Sequence, residues 1–140
     1  MKEVLKWDDK YLTDIEIIDS QHKKIFKCVN RLFDALEKLE EKEKILKLVN
    51  CLDFYTTEHF DTEEKYMIEL DYPEYSEHKA AHTHFKHIYE RIKHNYVYKY
   101  HKSVYVLAIH LNHTMADWLD YHLQKEDQRL AEFLRKKFKR

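Results

Sequence analysis

Apolar residues recur at steps of three and four along most of the chain, the spacing that lines side chains up on one face of a helix. From about Asp19, a candidate N-cap, Ile25, Phe26, Val29, Leu32, Phe33, Leu36 and Leu39 form a first stripe. After polar residues 40–44, a second runs through Ile45, Leu48, Val49, Leu52, Tyr55, His59, Glu63 and Met67. Asp71, Tyr72 and Pro73 make the clear break, because proline disfavours helix in the residue before it and suits a helix's first turn. A third helix is expected to start there, with His78, His82, Phe85, Tyr89 and Ile92 on one face, and to fade in residues 94–102. The fourth carries Val104, Leu107, Ala108, Leu111, Met115, Trp118, Leu119 and His122, and an amphipathic tail follows with Leu130, Phe133, Leu134 and Phe138.

Short connections between amphipathic segments force neighbours to run in opposite directions. The pattern therefore predicts an all-α fold, an antiparallel up-down-up-down four-helix bundle with a short C-terminal helix. The absence of glycine and the single proline in 140 residues remove nearly all hairpin-turn chemistry and agree with it. Residues 1–140 are expected to form a single domain with one sizeable core.

Charge narrows the range of partners. With a net charge of −1, the chain has no long-range field to draw in nucleic acid or an anionic membrane. The basic residues from Arg135 to Arg140 read as a solvated helix end, with cations at the negative pole of the dipole. No stretch approaches the ~20 apolar residues of a membrane span, and the segment from Met1 to Trp7 lacks a signal-peptide core. The expectation is a cytoplasmic monomer with no nucleic-acid or membrane partner. Cys28 and Cys51 make no CxxC or zinc-finger spacing. They are expected as reduced packing residues, with a redox pair across the first two helices as the lesser reading.

Histidine changes the picture, because the chain holds 11 and several sit on stripes that should face the core. His22, His59 with Glu63, His78 with His82, and His122 are all on apolar faces, where burial costs several kcal/mol (~2–7) unless something satisfies them. Both His59/Glu63 and His78/His82 are four apart, so each pair projects from one helix face toward a common point. Asp127 lies five after His122, so the helix is expected to end near His122 and turn Asp127 back over the site. Five histidines and two carboxylates exceed the four ligands of a structural zinc. Two metals fit better, and two iron ions suit imidazole with bridging carboxylates, with zinc or manganese left open by the sequence. The carboxylate-rich alternative for bundles requires Glu-x-x-His, which occurs nowhere in the chain.

The ordered set His22, His59-x-x-x-Glu63, His78-x-x-x-His82 and His122-x-x-x-x-Asp127 resembles the hemerythrin signature, and in particular that of single-domain bacteriohemerythrins. Ile18-Asp19-Ser20-Gln21-His22-Lys23, Tyr72-Pro73 and Trp118-Leu119-Asp120-Tyr121-His122-Leu123 support the likeness, which runs from about Trp7 to Asp127. The resemblance implies that His78, His82 and His122 hold one iron and His22 and His59 the other. Glu63 and Asp127 would bridge them beside an oxo or hydroxo group. It also implies an open position on the two-histidine iron for O2. Members of the family often carry a glycine where this chain reads Thr13-Asp14-Ile15, which leaves that loop's shape open.

Ile25, Phe60, Trp118, Leu119 and Leu123 neighbour the ligands and would line an apolar O2 pocket, while also filling the core. His84, His87, His94, His101, His110 and His113 are outside the signature and are expected at the surface, and the segment from Tyr96 to His101 as a loop against the bundle end. The resulting expectation is reversible O2 binding for storage, delivery or sensing, without catalysis as the main role, though weak oxidase or peroxidase activity is compatible with it. An electron-donor protein is a candidate partner. The alternative is a di-iron enzyme or scavenger that consumes O2, peroxide or nitric oxide. A bundle in which metal only staples the fold fits less well, since structural sites are normally closed.

Overall fold

The computed structural model describes residues 4–94 and 103–139. After a short 3-10 turn at Asp9–Tyr11 come α1 (Glu16–Glu37), α2 (Lys42–Glu69), α3 (Tyr75–His94), α4 (Val104–Gln124) and α5 (Glu126–Phe138). The described residues are all helix, turn and coil, with no strand. The loop expected from Tyr96 to His101 lies outside the described residues.

Side-chain pairings fix the helix directions. Glu64 of α2 meets His82 of α3, and Asp53 meets Lys93. Moving eleven residues toward the start of α2 thus moves eleven toward the end of α3, so the two are antiparallel. On the other flank, Gln21 of α1 reaches Thr62 of α2, and Asn112 of α4 donates to the Val29 carbonyl of α1. α1 packs on α2 and α4, and α3 packs on the same two, which is the four-helix bundle.

The stripes become two apolar clusters. The larger one joins Ile25, Val29 and Leu32 of α1 with Leu52 of α2, Phe85 of α3 and Leu111 and Met115 of α4. The smaller one forms where α5 docks, with Leu130, Ala131 and Leu134 against Ile15, Ile18, Met67 and Tyr72. Arg135 ties α5 back to the start of the chain through a 2.6 Å hydrogen bond to the Thr13 carbonyl. Among the described residues no helix is long and apolar enough to cross a membrane.

Two boundaries differ from the sequence reading. α1 begins three residues before Asp19, which therefore is not the N-cap. Its carboxylate reaches back over the start of the helix and accepts from the backbone N–H groups of Thr13 and Asp14 and from the Thr13 hydroxyl. This clamp holds Asp14 at φ 64, the left-handed conformation that a glycine adopts without steric cost. α1 also ends before Leu39, which is 76% exposed rather than part of the stripe.

α1 and α2 end alike. Glu40 N–H bonds the Ala35 carbonyl and Leu39 N–H the Leu36 carbonyl, while Tyr72 and Asp71 repeat the pattern on Met67 and Ile68. This is the Schellman closure, which requires a left-handed residue just past the helix. Leu39 and Asp71 supply it at φ 50 and 54. In a chain without glycine both positions carry the Cβ penalty, about 1–2 kcal/mol each. Leu39→Gly is expected to raise the thermal midpoint by about 2–4 °C, since it relieves that penalty and buries nothing less. Thermal unfolding by circular dichroism checks it, and a lowered midpoint would show that Leu39 is not strained.

Candidate metal centre

Between the two apolar clusters lies a single polar layer. Along α1, His22 falls between Ile18 of the small cluster and Ile25 of the large one; along α2, Glu63 falls between Met67 and Phe60 in the same way. α3 adds His78 and His82, and the end of α4 adds His122. The chain then breaks at Lys125, where φ −107 and ψ −71 separate α4 from α5. Asp127 sits in the first turn of α5 and points back into the layer. All seven residues singled out in the sequence meet here, and each is between 0 and 3% exposed.

Donor atoms converge in two groups that share both carboxylates: His78, His82 and His122 with Glu63 and Asp127, and His22 and His59 with the same pair. Asp127 spans the groups physically. Its Oδ2 lies 2.9 Å from His22 Nε2 and 3.2 Å from His59 Nε2, whereas its Oδ1 lies 2.8 Å from His122 and 3.2 Å from His78. Glu63 Oε1 stands 3.2 Å from both His78 and His82 and 3.3 Å from His59.

The outward ring nitrogens set the tautomers. His82 Nδ1 donates to Glu64 at 2.9 Å, His122 Nδ1 to Glu126 at 3.1 Å, and His59 Nδ1 to the Gln21 side-chain carbonyl at 3.2 Å. Each of these rings then offers its Nε2 lone pair inward. His82 and His122 aim those nitrogens at each other 3.2 Å apart, as His22 and His59 do at 2.9 Å. Facing lone pairs repel unless a proton or a cation lies between them. Glu63 Oε2 is moreover buried without a hydrogen-bond partner. The side chains cannot satisfy one another, and nitrogen and carboxylate donors at this spacing fit a pair of cations.

Without metal, protons take that role. Burial and the carboxylates oppose each other at His59: desolvation lowers its pKa, but Glu63 and Asp127 prevail and raise it to about 9. His78 is likewise raised to about 9 against its burial, and His122 well above the ordinary value. His22 is lowered, first by burial and then by the neighbouring His59 charge. Burial pushes Glu63 and Asp127 up, yet the surrounding imidazoliums hold both well below the usual carboxylate range. The metal-free layer is thus a salt of imidazolium and carboxylate.

Aromatic rings brace the three-histidine side. Phe60 stacks on His82 at 4.0 Å between centroids and 11° between planes, and Trp118 stacks on His122 at 4.2 Å and 18°. Ile25, Phe60, Leu119 and Leu123 are fully buried, and Trp118 is partly buried. Gln21, Glu64 and Glu126 are the functional residues that the sequence reading left without a role. Glu126 carried the one available signal, an i,i+4 carboxylate after His122. Of the six further histidines, His84, His87, His94, His110 and His113 are exposed, and His101 lies outside the described residues.

The model of the hemerythrin HHE cation-binding domain matches residues 13–134. Bacteriohemerythrin of Pseudomonas aeruginosa is 37% identical over 58% of this chain, a stretch that spans only 52% of that protein's own length. Bacteriohemerythrins of Stenotrophomonas maltophilia and Campylobacter jejuni are each 28% identical, over 92% and 89% of this chain and 80% and 91% of theirs.

Two outcomes are expected. His82→Ala should cut bound metal to one ion per chain or none, whereas exposed His113→Ala should leave it unchanged; metal analysis of both decides, and two ions retained in His82→Ala would contradict the ligand grouping. Loading must also expel the protons on His59, His78 and His122, so metal affinity should rise with pH from 6.5 toward about 9. The sign for the metal-free fold is opposite. A raised imidazole stabilises it fully below 6.5, and that contribution is lost as pH rises through about 9. Proton release on anaerobic Fe(II) addition in weak buffer measures the first effect, and metal uptake without proton release would contradict it.

Proposed function

This chain belongs to the hemerythrin family, and from that premise we propose that its buried layer holds two iron ions and binds O2 reversibly. The observation that carries the reading is the five-against-four division of donors. One group offers three histidines and the other two, with Glu63 and Asp127 common to both. An ion held by the three-histidine group would be the more fully ligated, and one held by the two-histidine group would keep room for an exogenous ligand. Two ferrous ions held by these residues would supply the electrons for reversible reduction of O2.

The chain's own residues make such binding reversible. Ile25, Phe60, Trp118, Leu119 and Leu123 exclude water and stray protons from the site. Glu64 and Glu126 hold His82 and His122 by their outer nitrogens, and the stacked Phe60 and Trp118 keep those rings in place. A scavenging enzyme would need a proton donor inside the apolar wall, and the five wall residues carry no acid or base.

Oxygen consumption separates the two readings. Iron-loaded, anaerobically reduced protein with excess electron donor should take up about one O2 per chain and then stop, while a scavenger continues until the donor is exhausted. Leu119→Ala removes part of the wall and is expected to hasten conversion to the ferric form several-fold. An unaltered rate would show that Leu119 does not shield the site.

A further inference from the structure

We propose that Cys28 and Cys51 form an oxidisable dithiol, which a hydroperoxide converts into a disulfide clamping α1 to α2. The placement follows from the register of the two helices. Gln21 of α1 lies against Glu58 and Thr62 of α2, at 3.5 and 2.9 Å. Cys28 is seven residues further along α1, and Cys51 seven residues back from Glu58 along antiparallel α2. Seven residues are about two helical turns, so the thiols recur on the same seam. Cys51 stands close enough to Cys28 to act on its thiol, and both are free thiols.

The two are not equivalent. Cys28 is buried in the large apolar cluster at 5% exposure, and Cys51 is exposed. Burial, reinforced by Cys51 beside it, pushes the Cys28 thiol up to about 12, against the lowering influence of Arg31 and Lys27. Cys28 therefore keeps its proton, and an oxidant meets Cys51 first.

The chemistry balances in two steps. Cys51 sulfur attacks the peroxide, an S–O bond forms as the O–O bond breaks, and the leaving oxygen departs with a proton as water or alcohol. Cys51 is now a sulfenic acid. Cys28 sulfur then attacks it, the S–S bond forms as the S–O bond breaks, and the departing hydroxide carries off the Cys28 proton as water. Two thiols are oxidised by two electrons and one peroxide is reduced. The product ties together the helices that carry His22 and His59, and reduction by a dithiol reverses it.

The test is hydrogen peroxide added to the full-length purified protein, with thiols counted, intact mass measured and dimedone present to trap sulfenic acid. Both thiols should disappear together with the loss of their two hydrogens, without a dimedone adduct or a dimer. The thermal midpoint should rise by several degrees, and dithiothreitol should restore thiols and midpoint. Cys28→Ser should instead accumulate dimedone-labelled Cys51 or interchain dimers. Wild-type protein that behaves like Cys28→Ser, or that keeps both thiols at a dose which oxidises Cys28→Ser, would overturn the proposal, and a fully formed disulfide with an unmoved midpoint would overturn the clamp.

Discussion

Five imidazoles and two carboxylates are buried in one layer of this bundle, and the rest of the structure is arranged around that burial. Each ionised group removed from water costs several kcal/mol after relaxation, and the seven cannot repay one another. Two pairs of imidazole nitrogens face each other at hydrogen-bond distance, and Glu63 Oε2 has no hydrogen-bond partner. The metal-free layer is held by imidazolium protons, which bound metal would replace. The layer divides the core into a large cluster on one side and the small α5 cluster on the other, so loss of charge balance there is felt by both.

The outer partners differ between the two halves. Glu64 and Glu126 are carboxylates on the rings of His82 and His122, whereas His59 faces the neutral Gln21 and the outer nitrogen of His22 is buried without a partner. A carboxylate on the far nitrogen makes an imidazole a stronger donor. The three-histidine half is therefore richer both in ligand number and in ligand strength. This asymmetry, together with the apolar residues around the layer, supports ligand exchange at the two-histidine half.

Much of this was legible because its carriers are periodic. A histidine on an apolar stripe contradicts the stripe unless something satisfies it, and His22, His59, His78, His82 and His122 all do so at helical spacing. The five-residue gap to Asp127 implied the break that the structure shows at Lys125. What was not legible depends on local geometry with no period. Asp19 looks like an N-cap from its neighbours, and only the backward path of the preceding loop reveals that it bonds Thr13 and Asp14. Leu39 extends the apolar pattern by one step, yet the Schellman closure places it outside the helix. The roles of Glu64 and Glu126 depend on ring orientation, which spacing does not encode, and so does the stacking of Phe60 and Trp118 on the rings of His82 and His122.

The central claim is that this layer holds two irons and takes up O2 reversibly. The most direct measurement is the optical spectrum of anaerobically reduced, iron-loaded protein before O2, after O2 and after purging with inert gas, with iron counted per chain. Two irons, a ligand-to-metal charge-transfer band that appears with O2, and its disappearance on purging are the expected result. One iron per chain, or a spectrum that passes irreversibly to the ferric form without a purgeable band, would contradict the account.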